Sequence, residues 1–85
     1  MTIRFLRPFL KDYAKLTASQ QRKVQRQLEL LAENVSHPGL HARKMAGTKD
    51  IWEARIDYHY RMTFRIEGEI IVMRRVGTHA IYRKS

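Results

Sequence analysis

The spacing of the apolar residues changes once along this chain, and that change limits which folds are open to it. From Gln20 to Val35 they recur at helical intervals. Val24, Leu28, Leu31 and Val35 form one stripe, while Arg22, Lys23, Arg26, Gln27, Glu29 and Glu33 mostly face away. That is the pattern of an amphipathic helix. Beyond Gly39 the interval drops to two. Ile51 to Asp57 sets Trp52, Ala54 and Ile56 against Glu53, Arg55 and Asp57. Tyr60 to Glu67 repeats the alternation, with Tyr60, Met62, Phe64 and Ile66 against Arg61, Thr63 and Arg65. Alternation of this kind builds half-buried strands. A chain that separates its helices from its strands in this way predicts a two-layer α+β domain.

The punctuation fits that reading. Thr2 to Leu6 alternates around Ile3 and Phe5 and predicts an opening strand. Pro8 suits the first turn of a helix, where a missing N–H costs nothing. Phe9, Leu10, Tyr13 and Leu16 then follow at helical spacing. Thr17 or Ser19 can cap the next helix, and so short a connection makes the two helices an antiparallel hairpin. Asn34 to Gly39, around Ser36-His37-Pro38, is a stop and a loop. Arg43 to Gly47 predicts a short strand, Glu67-Gly68-Glu69 a tight turn, and Ile70 to Val76 the most apolar and central strand. Ala80 to Lys84 is a tail or a helical turn. The expected architecture is an N-terminal strand, then a helical hairpin packed on a C-terminal antiparallel meander. The helix stripe covers Trp52, Ile56, Met62, Phe64 and Ile66, and the other sheet face, with Arg55, Arg61 and Arg65, stays open.

The 85 residues suffice for one domain, expected over residues 1–85. A chain of this size hides about 60–70% of its unfolded surface. Cysteine is absent, so disulfides and thiolate metal sites are excluded and packing alone must stabilise the fold. No apolar run approaches the roughly 18 residues of a membrane span, and the N-terminal apolar stretch is too short for a signal peptide. The expected location is the cytoplasm.

Charge narrows the function. Seventeen Lys and Arg oppose eight Asp and Glu, a net +9. Such an excess favours a polyanionic partner: nucleic acid first, an acidic protein second, a membrane surface third. Arg55, Arg61 and Arg65 share a sheet face by parity, and guanidinium forks match phosphate oxygens. Cross-strand pairing with Glu53 or Asp57 would be the plainer account of the same residues. His79 follows the last strand, and an imidazole there can exchange protons near neutrality. Tyr82 lies three residues on. A solvated histidine is the plainer account of His79. His37, His41 and His59 lack a metal-ligand spacing, so no metal is expected. No Gly-rich phosphate loop, nucleophile elbow or catalytic carboxylate pair appears. Lys11, Lys15, Arg22, Lys23 and Arg26 make the helical hairpin basic and allow a second polyanion contact.

Several segments, in this order, resemble the RelE/ParE superfamily of bacterial toxins. They are the opening strand, Val24-Gln25-Arg26-Gln27-Leu28, His37-Pro38-Gly39-Leu40, Lys44-Met45-Ala46-Gly47, Ile51-Trp52-Glu53-Ala54-Arg55-Ile56, Tyr60-Arg61-Met62-Thr63-Phe64-Arg65-Ile66 and Arg75-Val76-Gly77-Thr78-His79. The resemblance is nearest to RelE-like mRNA interferases. It implies an α+β fold with a concave sheet face. It also implies endonuclease action on mRNA in the ribosomal A site, by 2′-hydroxyl attack on the adjacent phosphate. Arg55 and Arg61 would bind that phosphate. His79 stands where relatives carry an arginine or a histidine, and Tyr82 roughly matches a C-terminal tyrosine. Lys44 and Lys49 lie near catalytic lysines of some relatives. The expected RNA-binding set is Arg43, Lys44, Lys49, Arg65 and Arg75. Expected partners are a cognate antitoxin, mRNA and the ribosome, with no cofactor and no membrane. Ala80 departs from the acidic residue that many relatives carry after the histidine. ParE-like members share the fold but act on DNA gyrase and need no nuclease site, and a non-catalytic RNA-binding module is the other alternative.

Overall fold

Thr17 starts the longer helix through a reciprocal cap. Its hydroxyl accepts from Gln20 N at 3.1 Å, and the Gln20 side chain accepts from Thr17 N at 3.1 Å. In this computed structural model, which describes residues 1–82, that helix, α2, spans Ala18–Glu33. It is preceded by β1 (Thr2–Phe5) and α1 (Arg7–Ala14), the latter opened by Pro8. A single 3-10 turn, Pro38–Leu40, follows α2. Then come β2 (Arg43–Lys44), β3 (Trp52–Arg55), β4 (Arg61–Glu67) and β5 (Ile70–Gly77), and a second 3-10 turn over His79–Tyr82. The rest of the expected Ala80–Lys84 tail lies outside the described residues. No helix among the described residues is long and apolar enough to cross a membrane.

The five strands form one sheet in the order β1-β5-β4-β3-β2. The meander is antiparallel as expected, but β1 joins it parallel to β5, so the sheet is mixed. That addition also moves the centre. Strand β5 was expected in the middle; it is an inner strand, and β4 takes the central place. The first meander strand is shorter than expected. Only Arg43 and Lys44 pair with β3, after which the chain turns, with Gly47 at φ +78° and Asp50 at φ +61°.

The core lies between the helices and one sheet face. Phe9, Val24, Leu31, Leu40, Met62, Phe64, Ile71, Met73 and Val76 are buried there, and Trp52 stacks on Phe64 with ring centroids 6.1 Å apart. The stripe on α2 is wider than its apolar residues suggest. Gln27, expected to face away, is only 9% exposed. Its amide donates to Gly39 O at 3.1 Å and to Arg55 O at 2.8 Å. A buried amide is tolerated when its hydrogen bonds are made inside the protein. Here those bonds fasten α2 to the end of β3.

A bulge separates Thr63 from Phe64 in the β4–β5 ladder. Thr63 faces Arg75 and Phe64 faces Met73, which leaves Arg74 as the extra residue. Strand β5 also outruns β1, whose last contact is Leu6 N to Met73 O at 3.0 Å. Helix α1 serves the exposed edge beyond that point: Asp12 Oδ2 accepts from Val76 N at 3.1 Å.

Candidate functional site

The open sheet face carries a groove of about 810 Å³ beside β3 and the C-terminal turn. Its wall includes His41 to Ala46, Glu53, Arg55, Arg61, His79 and Tyr82. Six residues singled out in the sequence therefore meet at one place: Arg43, Lys44, Arg55, Arg61, His79 and Tyr82. Three do not line it. Lys49 is exposed in the loop before β3. Arg65 lies further along β4, its Nη2 2.8 Å from Glu67 Oε2 and its Nε buried without a hydrogen-bond partner among the described residues. Arg75 Nε and Nη2 grip Asp12 at 2.7 and 3.0 Å. That hydrogen-bonded pairing outweighs burial and raises Arg75 above its ordinary pKa. Its guanidinium is occupied by the fold.

Backbone register explains the convergence. Arg55 and Arg61 are direct partners across the β3–β4 ladder. Like charges placed opposite each other destabilise a sheet, and an anion between them would relieve that cost. The two differ in freedom. Arg55 is exposed and makes no ion pair among the described residues. Arg61 turns Nη1 back toward the β3–β4 connection, donating to the carbonyls of Asp57, Tyr58 (3.3 Å) and Tyr60 (3.0 Å). Its Nε and Nη2 carry no protein hydrogen bond among the described residues, so the edge that grips a phosphate through two parallel bonds is left open. The expected pairing of these arginines with Glu53 or Asp57 is not what forms. Glu53 takes Arg43 Nε at 2.9 Å, and Asp57 takes Lys23 Nζ at 3.2 Å.

The C-terminal turn brings in the titratable groups. Gly77 makes this possible, because a Cβ there would stand 2.8 Å from Ile81 Cγ2. The rings of His79 and Tyr82 meet edge to face at 5.9 Å. Tyr82 Oη donates to Glu53 Oε1 at 2.6 Å. Burial and the adjacent Glu53 carboxylate push the Tyr82 phenol above its ordinary pKa, so it keeps its proton. Burial acts to raise Glu53 as well, but the Tyr82 hydroxyl and Arg43 together outweigh it and hold the carboxyl below its ordinary value. Glu53 is thus an ionised acceptor beneath the turn. Chemically, the groove offers cationic forks for an anion, an exposed imidazole and a phenol fixed as a donor. No group of three or more His, Asp or Glu side chains gathers into a metal site among the described residues.

Two polar wall residues, Glu53 and His41, were not assigned to the site from the sequence. Glu53 has the same strand parity as Arg55, and that parity was its only signal. His41 reaches the wall because the chain turns there in the left-handed region, at φ +47°, after the first 3-10 turn. No local sequence pattern marks that turn.

The arrangement of a strand, a helical pair and a mixed sheet is similar to that of solved toxin structures. A chain of the RelB–RelE antitoxin–toxin complex from Methanococcus jannaschii superposes with a TM-score of 0.77 at 22% identity, covering 93% of this chain and 94% of that one. YafQ from E. coli gives 0.77 at 18% identity, covering 96% and 97%. A YoeB/ParE toxin from Agrobacterium tumefaciens gives 0.80 at 15%, covering 93% and 99%. A search of curated proteins found no match. Over residues 3–81 the sequence matches the family described as ParE toxin of type II toxin–antitoxin system, parDE, and the chain belongs to that family.

Proposed function

We propose that this toxin is a ribosome-dependent mRNA endoribonuclease, with residues 1–85 acting as one toxin domain. One observation carries the reading: His79 and Tyr82 meet Arg55 and Arg61 in a single groove on the free sheet face. The reaction is attack of a ribose 2′-oxygen on the adjacent phosphorus. The P–O5′ bond breaks, a 2′,3′-cyclic phosphate forms, the 2′-hydroxyl proton passes to a base, and the 5′-oxygen receives a proton from an acid. Arg55 and the free edge of Arg61 hold the phosphate and stabilise its growing charge. His79 is the leading proton-transfer group. Tyr82 keeps its single proton in the bond to Glu53, so it positions the turn beside the arginines and is not the base. Arg43 and Lys44 extend the cationic wall along the strand. Lys49, Arg65 and Arg75 take no part in holding the scissile phosphate.

The partners under this reading are mRNA in the ribosomal A site, the ribosome and a cognate antitoxin. Several of the structural relatives were solved as complexes with RelB or DinJ, which supports an antitoxin. An acidic segment laid over the groove is the form that charge complementarity favours.

Mapping transcript ends after induced expression tests the reading. Cleaved transcripts are expected, and His79→Ala and Arg61→Ala should each relieve growth arrest while the fold persists. Full toxicity in both variants overturns the site. The family match favours a second reading, a gyrase poison, because the matching family is that of ParE. It gives intact transcripts together with DNA-damage signalling.

A further inference from the structure

The connection between β3 and β4 is fixed in place, yet it holds an aromatic ring out into solvent. Ile56 N and Asp57 N both donate to Tyr60 O, at 2.9 and 3.2 Å. Asp57 Oδ1 accepts from His59 N at 3.0 Å and from Tyr60 N at 2.9 Å, and Asp57 Oδ2 accepts from Lys23 on α2. Arg61 clasps three carbonyls of the same turn from the groove side. On top of this scaffold Tyr58 is 84% exposed, the largest value among the exposed large hydrophobic residues. Among the described residues its one aromatic neighbour is the exposed His59, edge to face at 4.8 Å, so a face of the phenol ring is open. Leaving a large ring in water forgoes its burial energy, and the hydrogen bonds that hold this turn do not involve the ring.

The turn that carries the ring lies between two cationic surfaces, tied to one through Arg61 and to the other through Lys23. On one side is the groove of Arg55 and Arg61. On the other is a hollow of about 560 Å³ on the helix side, lined by Arg22, Lys23 and Arg26 with no carboxylate among its wall residues. Cationic surfaces with a rigid aromatic between them are the elements of a single-stranded nucleic-acid track, in which charges follow the backbone and rings stack on bases. We propose that Tyr58 is a stacking platform for an unpaired nucleobase of RNA, on a strand that leaves the groove and crosses the β3–β4 turn toward the α2 hollow. Arg61 then has two duties: it presents a free edge to a phosphate, and it holds the ring in position for a base beside that phosphate. The inference rests on the RNA reading of the groove but not on cleavage.

The test is equilibrium binding to the full chain of a 2′-O-methyl RNA of about 12 nucleotides, which lacks the attacking hydroxyl. Inorganic polyphosphate of matched charge is the probe without bases. Tyr58→Ala should weaken RNA binding about tenfold, as the loss of one stacked base does, and leave polyphosphate binding within about twofold. Tyr58→Trp should keep RNA binding. The exposed position leaves all three proteins with the same melting curve. Equal affinity of wild type and Tyr58→Ala for RNA overturns the platform while the groove reading stands. Equal losses on both probes reduce Tyr58 to a structural role and also overturn it. Wild type that binds no RNA removes platform and groove together. Tyr58-dependent binding with uncut transcripts leaves the platform intact and removes only the nuclease.

Discussion

Glu53 shows how much one carboxylate can organise. It lies in a cationic wall, and both of its oxygens are engaged there. It accepts from Tyr82 and Arg43 and so fastens both the C-terminal turn and β2 to β3. Asp57 does the same for the β3–β4 turn. Burial acts to raise it, but the N–H groups of Tyr60 and His59 and the Lys23 ammonium hold its carboxyl below the ordinary value. For both groups the unfolded chain binds protons more readily than the folded one. Their contribution is complete above the ordinary carboxylate pKa and is lost as pH falls through the lower folded value. Melting temperature measured from neutral pH downward should therefore drop on the acid side. Glu53→Gln and Asp57→Asn should each melt lower at neutral pH and show a shallower acid limb. At this scale the sequence was only partly informative. Parity placed Arg55, Arg61 and Glu53 on one face. It did not reveal that Arg61 clasps its own turn or that Arg75 is held by Asp12, because those partners depend on where carbonyls and a distant helix come to lie. Gln27 was misplaced for the same reason: its acceptors belong to other elements.

Among the elements, those with local causes were legible. The Thr17 cap, the Pro8 start, the Gly68 turn and the alternation in β4 each follow from neighbours in sequence. The parallel seat of β1, the bulge at Arg74 and the shortness of β2 do not, since each is decided by pairing across the sheet. The C-terminal turn is the element on which the site depends most, and its position rests on Gly77. Gly77→Ala should force Ile81 away from β5 and carry His79 and Tyr82 out of line with the arginines. The expected result is loss of growth arrest, with the Tyr82–Glu53 contact broken and the helix–sheet core retained. Circular dichroism for the core and tyrosine titration for the contact would check it. A Tyr82 titration that stays raised as in the native protein would show that the turn stays put.

At the scale of the whole molecule, the net +9 is spread over both the groove and the helical hairpin, and residues differ in whether their charge is available. Among the described residues Arg55 makes no ion pair, whereas Arg75 is committed to Asp12. Single-stranded RNA binding measured against salt should separate them. Each phosphate contact adds about 0.7 to the slope of log K against log salt. Arg55→Ala should lower that slope by about this amount, and Arg75→Ala should leave it unchanged even where it lowers stability. The overall charge, the two-layer plan and the polar sheet face were all legible from composition and period. The groove itself was not, because it exists only where the C-terminal turn folds back on β3.

The pairing of Arg55 with Arg61 across the β3–β4 ladder also bears on stability. Anything that binds only the folded form raises its stability by mass action, so an anion held by both arginines should raise the melting temperature. Sulfate or phosphate in the buffer would then act as a folding aid as well as a competitor. A covering antitoxin segment rich in carboxylates would protect its toxin from unfolding by the same contacts that silence it, and a toxin stripped of that cover would be both active and shorter-lived.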